Sequence, residues 1–233
     1  MRFSKIVRMF KHGNVAVCGL RGRGKDMLMS NVVVRRRKPY ISNVDYGGKF
    51  NELDFSAIDC GQNTYKDFIS GELKPYTFPY PDGTDVYISD VGVYLPAQYC
   101  NELNKRYPYL PVFMALSRHL GKCNVHYNVQ ALPRAWDKLR EQVDQYIDCR
   151  RCICLFGKIV IQHIRIYERY ESCVNHVPPL RVGFHIKPDM TSEILQANYL
   201  ASHGVIKSKW LFYINRSKYD TRRFKTLLEG GST

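Results

Sequence analysis

The stretch Gly19-Leu20-Arg21-Gly22-Arg23-Gly24-Lys25-Asp26 sets glycines and a lysine at the spacing that grips phosphate. Glycine accepts positive φ, so Gly19, Gly22 and Gly24 let the backbone turn its N–H groups inward. Such N–H groups ahead of a helix N-terminus form an anion nest. In the pattern Gly-x-x-x-x-Gly-Lys, Lys25 reaches the outer phosphates, and a Ser or Thr hydroxyl follows it to meet Mg2+. Here Asp26 takes the place of that hydroxyl. Arg21 and Arg23 add positive charge, and Leu20 and Met27 complete the stretch expected to touch a nucleotide. The plainer alternative is a tight strand-to-helix turn in which Asp26 favours the helix dipole.

Phosphoryl transfer needs more than a loop. A carboxylate on a neighbouring strand holds Mg2+, and a second group orients the attacking water. Asp85-Val86-Tyr87-Ile88-Ser89-Asp90 is the candidate strand end. If Asp90 is the metal carboxylate, the usual Glu partner is missing. If Asp90 is instead the acid that orients water, Ser89 stands where the metal carboxylate belongs. Asp26 and Ser89 are then an exchange: one carboxylate and one hydroxyl still face the ion, each from the opposite side. Mg2+ accepts oxygen ligands of both kinds. Simple degeneration of the site is the competing account. Gln130 is a candidate for sensing the γ-phosphate or placing water. Arg118 or Arg140 could reach a neighbouring subunit's nucleotide, with a solvated surface arginine as the alternative for each.

The elements that would position these groups can be read around them. Asn14 to Cys18 reads as a buried strand and Met27 to Val34 as the helix after the loop. Tyr40 to Val44, Asp85 to Asp90 and Asn124 to Gln130 read as further strands. Helical patterns fall around Thr64 to Ile69, Pro96 to Asn104 and Val112 to Leu120, with a helix or turn from Pro133 to Leu139. Strands alternating with helices imply a mostly parallel sheet covered on both faces. From Ile147 the pattern changes to two antiparallel strands joined at Phe156-Gly157-Lys158. The expected organisation is α/β: a three-layer P-loop NTPase domain over residues 1–150, then sheet-edge strands and a basic, aromatic C-terminal extension over 151–233.

The chain of 233 residues carries a formal net charge of +14, which points to an acidic partner such as nucleic acid or an anionic membrane surface. Met1 to His12 is basic, with an apolar run too short for a secretory leader, and no stretch has the length of a membrane-spanning helix. Arg35, Arg36, Arg37 and Lys38 form one cluster for phosphate contact. The segment from Ile194 to Leu228 offers another, with Lys207, Lys209, Trp210, Tyr213, Arg222 and Arg223 suited to phosphates and stacked bases. Eight cysteines read mainly as reduced, buried thiols. Cys149, Cys152, Cys154, His163 and Cys173 could also make a zinc site, but the spacing fits no standard zinc knuckle. Strand alternation would place Cys152 and Cys154 on one face and Cys149 on the other.

Taken in order, these pieces resemble the Zot-like ATPases, the zonula occludens toxin family that includes the assembly ATPases of filamentous phages. The resemblance covers roughly the first 150 residues, with a trace at the C-terminus. It is carried by Gly19 to Lys25, Ser42-Asn43-Val44, Ser89 to Tyr94, Ser117-Arg118-His119-Leu120-Gly121, Gln130, Asp137-Lys138-Leu139-Arg140 and Tyr219-Asp220-Thr221-Arg222. It implies a RecA/FtsK-like, additional-strand ATPase using ATP and Mg2+, assembled as a homo-oligomeric ring such as a hexamer. Its partners would be phage DNA or capsid proteins, its work virion assembly and export, and its place the host cytoplasm or the inner face of the membrane. Asp26 and Ser89 depart from the family's pattern, as does the lack of a spanning helix after the ATPase domain. A non-enzymatic nucleic-acid module on the same fold is the rival expectation; a small-molecule kinase is disfavoured by the lack of an Arg-rich lid.

Overall fold

The computed structural model describes residues 3–59, 65–72, 74–155, 158–168, 170, 173 and 205–213. In chain order the elements are α1 (Phe3–His12), β1 (Val15–Cys18), α2 (Lys25–Arg36), β2 (Tyr40–Ser42), β3 (Phe50–Glu52), α3 (Phe55–Ile58), α4 (Tyr65–Ser70) and β4 (Asp85–Ile88). They continue with α5 (Val91–Tyr94), α6 (Cys100–Arg106), α7 (Leu110–Leu120), β5 (Val125–Val129), α8 (Asp137–Arg140), β6 (Gln145–Leu155), β7 (Lys158–Tyr167) and β8 (Val205–Phe212). Short 3₁₀ turns at Ala97–Tyr99 and Leu132–Arg134 lead into α6 and toward α8.

The strands form one eight-stranded sheet in the order β3-β2-β4-β5-β1-β6-β7-β8. From β3 to β6 every pairing is parallel; β6, β7 and β8 pair antiparallel. The parallel core strands β1, β4 and β5 are buried throughout, as strands covered on both faces must be. One face packs α1 and α2 through Ile6, Phe10, Leu28, Met29 and Val32. The other packs α3 and α5 to α8 through Ile58, Val91, Leu103, Phe113 and Leu139.

Several elements end where local chemistry intervenes. β2 stops at Ser42, short of the Val44 expected, because Ser42 Oγ accepts the Val44 N–H at 3.1 Å and starts a turn. β4 stops at Ile88 because Asp90 turns to φ 47°. The basic N-terminal segment forms α1, a helix not anticipated from its charge: Ile6 and Phe10 face the sheet while Lys5, Arg8 and Lys11 stay exposed. β3 is a short edge strand paired parallel with β2. β6 runs through residue 150, and its register shifts between Cys149 and Arg151. That bulge overturns the expected cysteine alternation, because an extra residue brings Cys149 and Cys152 to the same side. Cys149 packs beneath Gly19, and the Cys152 thiol donates to Gly22 O at 3.2 Å. Among the described residues no helix is long and apolar enough to cross a membrane.

Candidate nucleotide site

The loop between β1 and α2 is shaped by its glycines. Gly19 takes φ 140°, and a Cβ there would lie 2.5 Å from the Cys149 carbonyl oxygen, so only glycine fits. Gly24 takes φ 78° as the residue before α2, and Leu28 N–H donates to its carbonyl at 3.0 Å to open the helix. Arg23 N–H closes the turn on Leu20 O at 3.2 Å. Lys25 is the first residue of α2 and is buried, its ammonium donating back to Leu20 O at 3.4 Å. One long bond to a neutral carbonyl is weak beside what a phosphate oxygen offers an ammonium.

The second half of the site lies where β4 and β5 end beside this loop. Ser89 Oγ donates to Asp26 Oδ1 at 3.1 Å, and Asn128 Nδ2 donates to the same oxygen at 2.8 Å. Tyr46 OH reaches it at 3.4 Å. Asn128 is fully buried on β5, and its Oδ1 accepts the Asp90 N–H at 2.8 Å. Asn43 fixes the Ser89 backbone from both sides, accepting its N–H at 2.7 Å and donating to its carbonyl at 3.0 Å. Three strand ends and the first turn of α2 are thus tied at one point.

Asp90 follows Ser89 in the left-handed region, at φ 47° and ψ 53°. A non-glycine residue held there stores strain, and such strain collects at functional sites. Burial, and then the Asp26 carboxylate, push its carboxyl above the ordinary aspartate range, while Lys25 and Arg21 pull it down. Asp90 therefore sits within the electrostatic reach of the loop's cations and of Asp26.

The back of the loop is held by the antiparallel extension. Gln162 on β7 is fully buried, and its Nε2 donates to Arg23 O at 2.6 Å. Its Oε1 accepts from Tyr213 OH, just past β8. The chain Tyr213–Gln162–Arg23 links the last described strand to the phosphate loop.

Gln130 is exposed just beyond the end of β5 and lines an open cleft with Gly19, Leu20 and Arg23. The other expected site residues are dispersed. Arg118, at the last turn of α7, pairs with Asp144 at 2.6 Å. Asp144 N–H bonds Asn14 O at the start of β1, so Arg118 lies at the opposite end of the strands from the loop. Arg140 donates to Tyr170 OH at 2.5 Å and covers its ring at 5.0 Å. Arg36 is buried and ion-paired with Asp85, and donates to Phe10 O at 2.6 Å, which takes it out of any surface cluster with exposed Arg35, Arg37 and Lys38. Lys209 is half-buried and Trp210 exposed on β8, where Lys207 also stands, while Tyr213 is buried. Arg222, Arg223, the Tyr219-Asp220-Thr221 stretch and the Phe156-Gly157 joint lie outside the described residues.

Asn128, Tyr46 and Gln162 were not singled out from sequence, and Asn43 only as part of the Ser42-Asn43-Val44 stretch. The available signal was a polar residue in the middle of an apolar strand: Asn128 in Val-His-Tyr-Asn-Val and Gln162 in Ile-Val-Ile-Gln-His-Ile.

The donor set fits Mg2+. Asp26, Ser89 and Asp90 offer hard oxygens, and Mg2+ in phosphate sites takes one or two carboxylates beside phosphate and water. The three bonds from Ser89, Asn128 and Tyr46 all fall on Asp26 Oδ1. No cluster of three or more His, Cys, Asp or Glu is placed to hold a metal by itself among the described residues. Cys18 and Cys173 lie with their sulfurs 3.6 Å apart.

A phosphate loop after β1, with a single strand, β5, between β1 and the acid-bearing β4, defines an additional-strand P-loop NTPase fold. No protein-family model matches the chain, and no curated protein matches its sequence. Among solved structures it is similar to the N-terminal domain of zonular occludens toxin from Neisseria meningitidis, at 13% identity and a TM-score of 0.45, over 91% of this chain and 97% of that one. It is also similar to the genome packaging NTPase of Sulfolobus turreted icosahedral virus 2 bound to AMP, at 15% identity and a TM-score of 0.40, over 71% of this chain and 94% of that one. Both likenesses are of fold; the strand order and the loop define the class on their own.

Proposed function

We propose that the protein binds ATP with Mg2+ at the loop of Gly19 to Met27 and hydrolyses it, using Asp26 and Ser89 in exchanged places. The observation that carries this reading is the Ser89 Oγ to Asp26 Oδ1 hydrogen bond of 3.1 Å. It puts a hydroxyl and a carboxylate face to face between loop and strand, each supplied from the side where the other is usual. Lys25 leaves Leu20 O to neutralise the outer phosphates. Asp90 orients the attacking water and takes its proton, held in place by the Asn128 carboxamide. Asp26 and Ser89 would hold Mg2+, which would supply neutralisation of phosphate charge.

By its resemblance to the assembly ATPases, this cycle serves virion assembly and export or DNA movement. It works as an oligomeric ring with phage DNA or capsid proteins, at the host membrane's inner face or in the cytoplasm. Arg118 or Arg140 would have to serve a neighbouring subunit, since neither lies at its own loop.

The test is nucleotide binding by calorimetry and phosphate release, with wild type and Lys25→Ala. Binding that needs Mg2+ and is lost in the variant, with turnover lost alongside, supports the reading. Nucleotide binding without turnover in any assembly state leaves a binding module; no binding at all ends the reading.

A further inference from the structure

β6, β7 and β8 carry one open face beyond the nucleotide site. The bulge at Arg150 sets Arg151 opposite His163, and His163 opposite Trp210. One step along, Ile153, Ile161 and Phe212 stand in register; one step back, Arg165 faces Ser208. Trp210 is 45% exposed and Phe212 66%, while Leu211 and Tyr213 between and after them are buried on the other side. The rings of Trp210 and His163 lie 4.8 Å apart. The His163 ring is anchored in turn by a 2.8 Å hydrogen bond between Nε2 and Ser208 Oγ. An indole set against one neighbouring ring and nearly half exposed offers a stacking surface.

The charge around it has one sign. An open cleft of about 1220 Å³ joins the phosphate loop to this face, and its walls include Arg23, Arg150, Arg151, Arg165 and a single acid, Asp148. Asp148 is already taken by Arg150 at 2.7 Å. Arg151 has no acidic partner among the described residues. Burial, then Arg165, Arg150 and Arg151, hold the His163 ring below its ordinary range, so it stays neutral and available for stacking. Planar rings beside guanidinium groups match a ligand with planar bases on an anionic backbone. A duplex hides its base faces, and an anionic lipid surface has none.

We propose that the outer face of β6, β7 and β8, centred on Arg151, His163 and Trp210, binds a single-stranded polynucleotide. Bases stack on the indole and phosphates lie along the arginines toward the loop. The surface goes beyond the nucleotide reading and stands without it, because none of these three side chains contacts Lys25, Asp26, Ser89 or Asp90.

Intrinsic fluorescence reads the site directly. The chain has two tryptophans, and Trp136 is fully buried, so quenching by a base reports Trp210. The full chain is titrated with oligothymidylate of about 20 nucleotides, its duplex with oligoadenylate, heparin, and phosphatidylserine vesicles. Expected are quenching by the single strand that weakens steeply with salt, and about tenfold weaker binding for Trp210→Ala and for Arg151→Glu. Trp210→Phe should keep most of the affinity by anisotropy of a labelled strand, and it serves if the alanine variant fails to fold. Heparin, duplex or vesicles binding as tightly as the single strand overturns the proposal, as does wild-type affinity in Trp210→Ala. Binding of a fluorescent ATP analogue is measured separately without oligonucleotide. Its failure alongside retained quenching sinks the nucleotide reading alone; the reverse sinks this surface alone.

Discussion

Ser89 Oγ and Asp26 Oδ1 meet at 3.1 Å across the gap between β4 and the first turn of α2. Each residue is unusual for its position in a phosphate loop site, and under the proposed exchange the pair would keep one carboxylate and one hydroxyl facing the ion. A pair explained by exchange must behave as a unit, and a degenerate pair need not.

That gives a double-mutant test. Asp26→Ser leaves two hydroxyls and no carboxylate between loop and strand. Ser89→Asp sets a second carboxylate beside Asp26, and like charges at that range cannot both ionise freely. Each single substitution should lower kcat/KM for MgATP by about tenfold or more, and the double should recover most of it, a coupling of about 1–3 kcal/mol. A double variant no more active than either single refutes the exchange.

Asp90 combines the position proposed for the acid that orients water with an unfavourable backbone, φ 47°. Asp90→Asn should lower kcat by about 10²–10⁴-fold with little change in KM, since it removes a proton acceptor and keeps the shape. Asp90→Gly should be as inactive yet more stable to urea by about 1 kcal/mol, because glycine accepts φ 47° without strain. The pH profile follows from the raised carboxyl. Turnover needs Asp90 ionised, so it should fall as pH drops through a value above that of an ordinary aspartate. The stability sign is opposite: a raised folded pKa favours the folded state at low pH and is a cost at neutral pH, which the Asn variant sheds. Equal stability of wild type and both variants at neutral pH would remove the strain argument.

The phosphate loop was legible because its chemistry is contiguous: three glycines and a lysine between an apolar run and a helix. Asp90 was legible for the same reason, as an acid ending a strand. Asn128 was not, because its role exists only where β4, β5 and α2 converge. Gln130 drew attention as a polar strand end; it stands one residue past β5 and lines the same open cleft as Gly19, Leu20 and Arg23. Arg36 looked like one member of a basic run; helical periodicity turns it inward to Asp85 while its neighbours stay out. The cysteine faces were misread through one bulge, which no periodicity signals. The aromatic C-terminal segment was legible as a stacking candidate, but strand alternation divides it: Trp210 belongs to the open face and Tyr213 to the loop's support.

That support makes its own prediction. Gln162 spends one end of its amide on Arg23 O and the other on Tyr213 OH. Tyr213→Phe removes one O–H and leaves the ring, so Gln162 keeps its loop contact but loses its anchor. Nucleotide KM should rise about 2–10-fold with kcat nearly unchanged, the size of one net hydrogen bond. Gln162→Leu strands the Arg23 carbonyl as well and should raise KM further. Steady-state kinetics on both variants decide it: unchanged KM in both means that the extension does not position the loop.

His126 should make the fold acid-sensitive. Val15 N–H donates to its Nδ1 at 3.2 Å, so that nitrogen carries no proton, and the ring lies 4.8 Å from both Phe10 and Tyr87. Burial, then Arg36, hold its pKa well below the ordinary value of 6.5, against a smaller opposing pull from the Phe10 backbone. Below about pH 6.5 the unfolded chain takes up a proton at this residue that the folded chain refuses. Unfolding therefore binds protons in that range, and stability should decline as pH falls, by up to about 1.4 kcal/mol per pH unit from this residue. His126→Gln keeps an acceptor for Val15 N–H but cannot titrate. Urea melts of both proteins between pH 7.5 and 5 read the difference, in which the other histidines cancel. The wild type should lose stability relative to the variant as the solution is acidified; parallel curves would mean that the ring is protonated in the folded protein or free to leave its pocket.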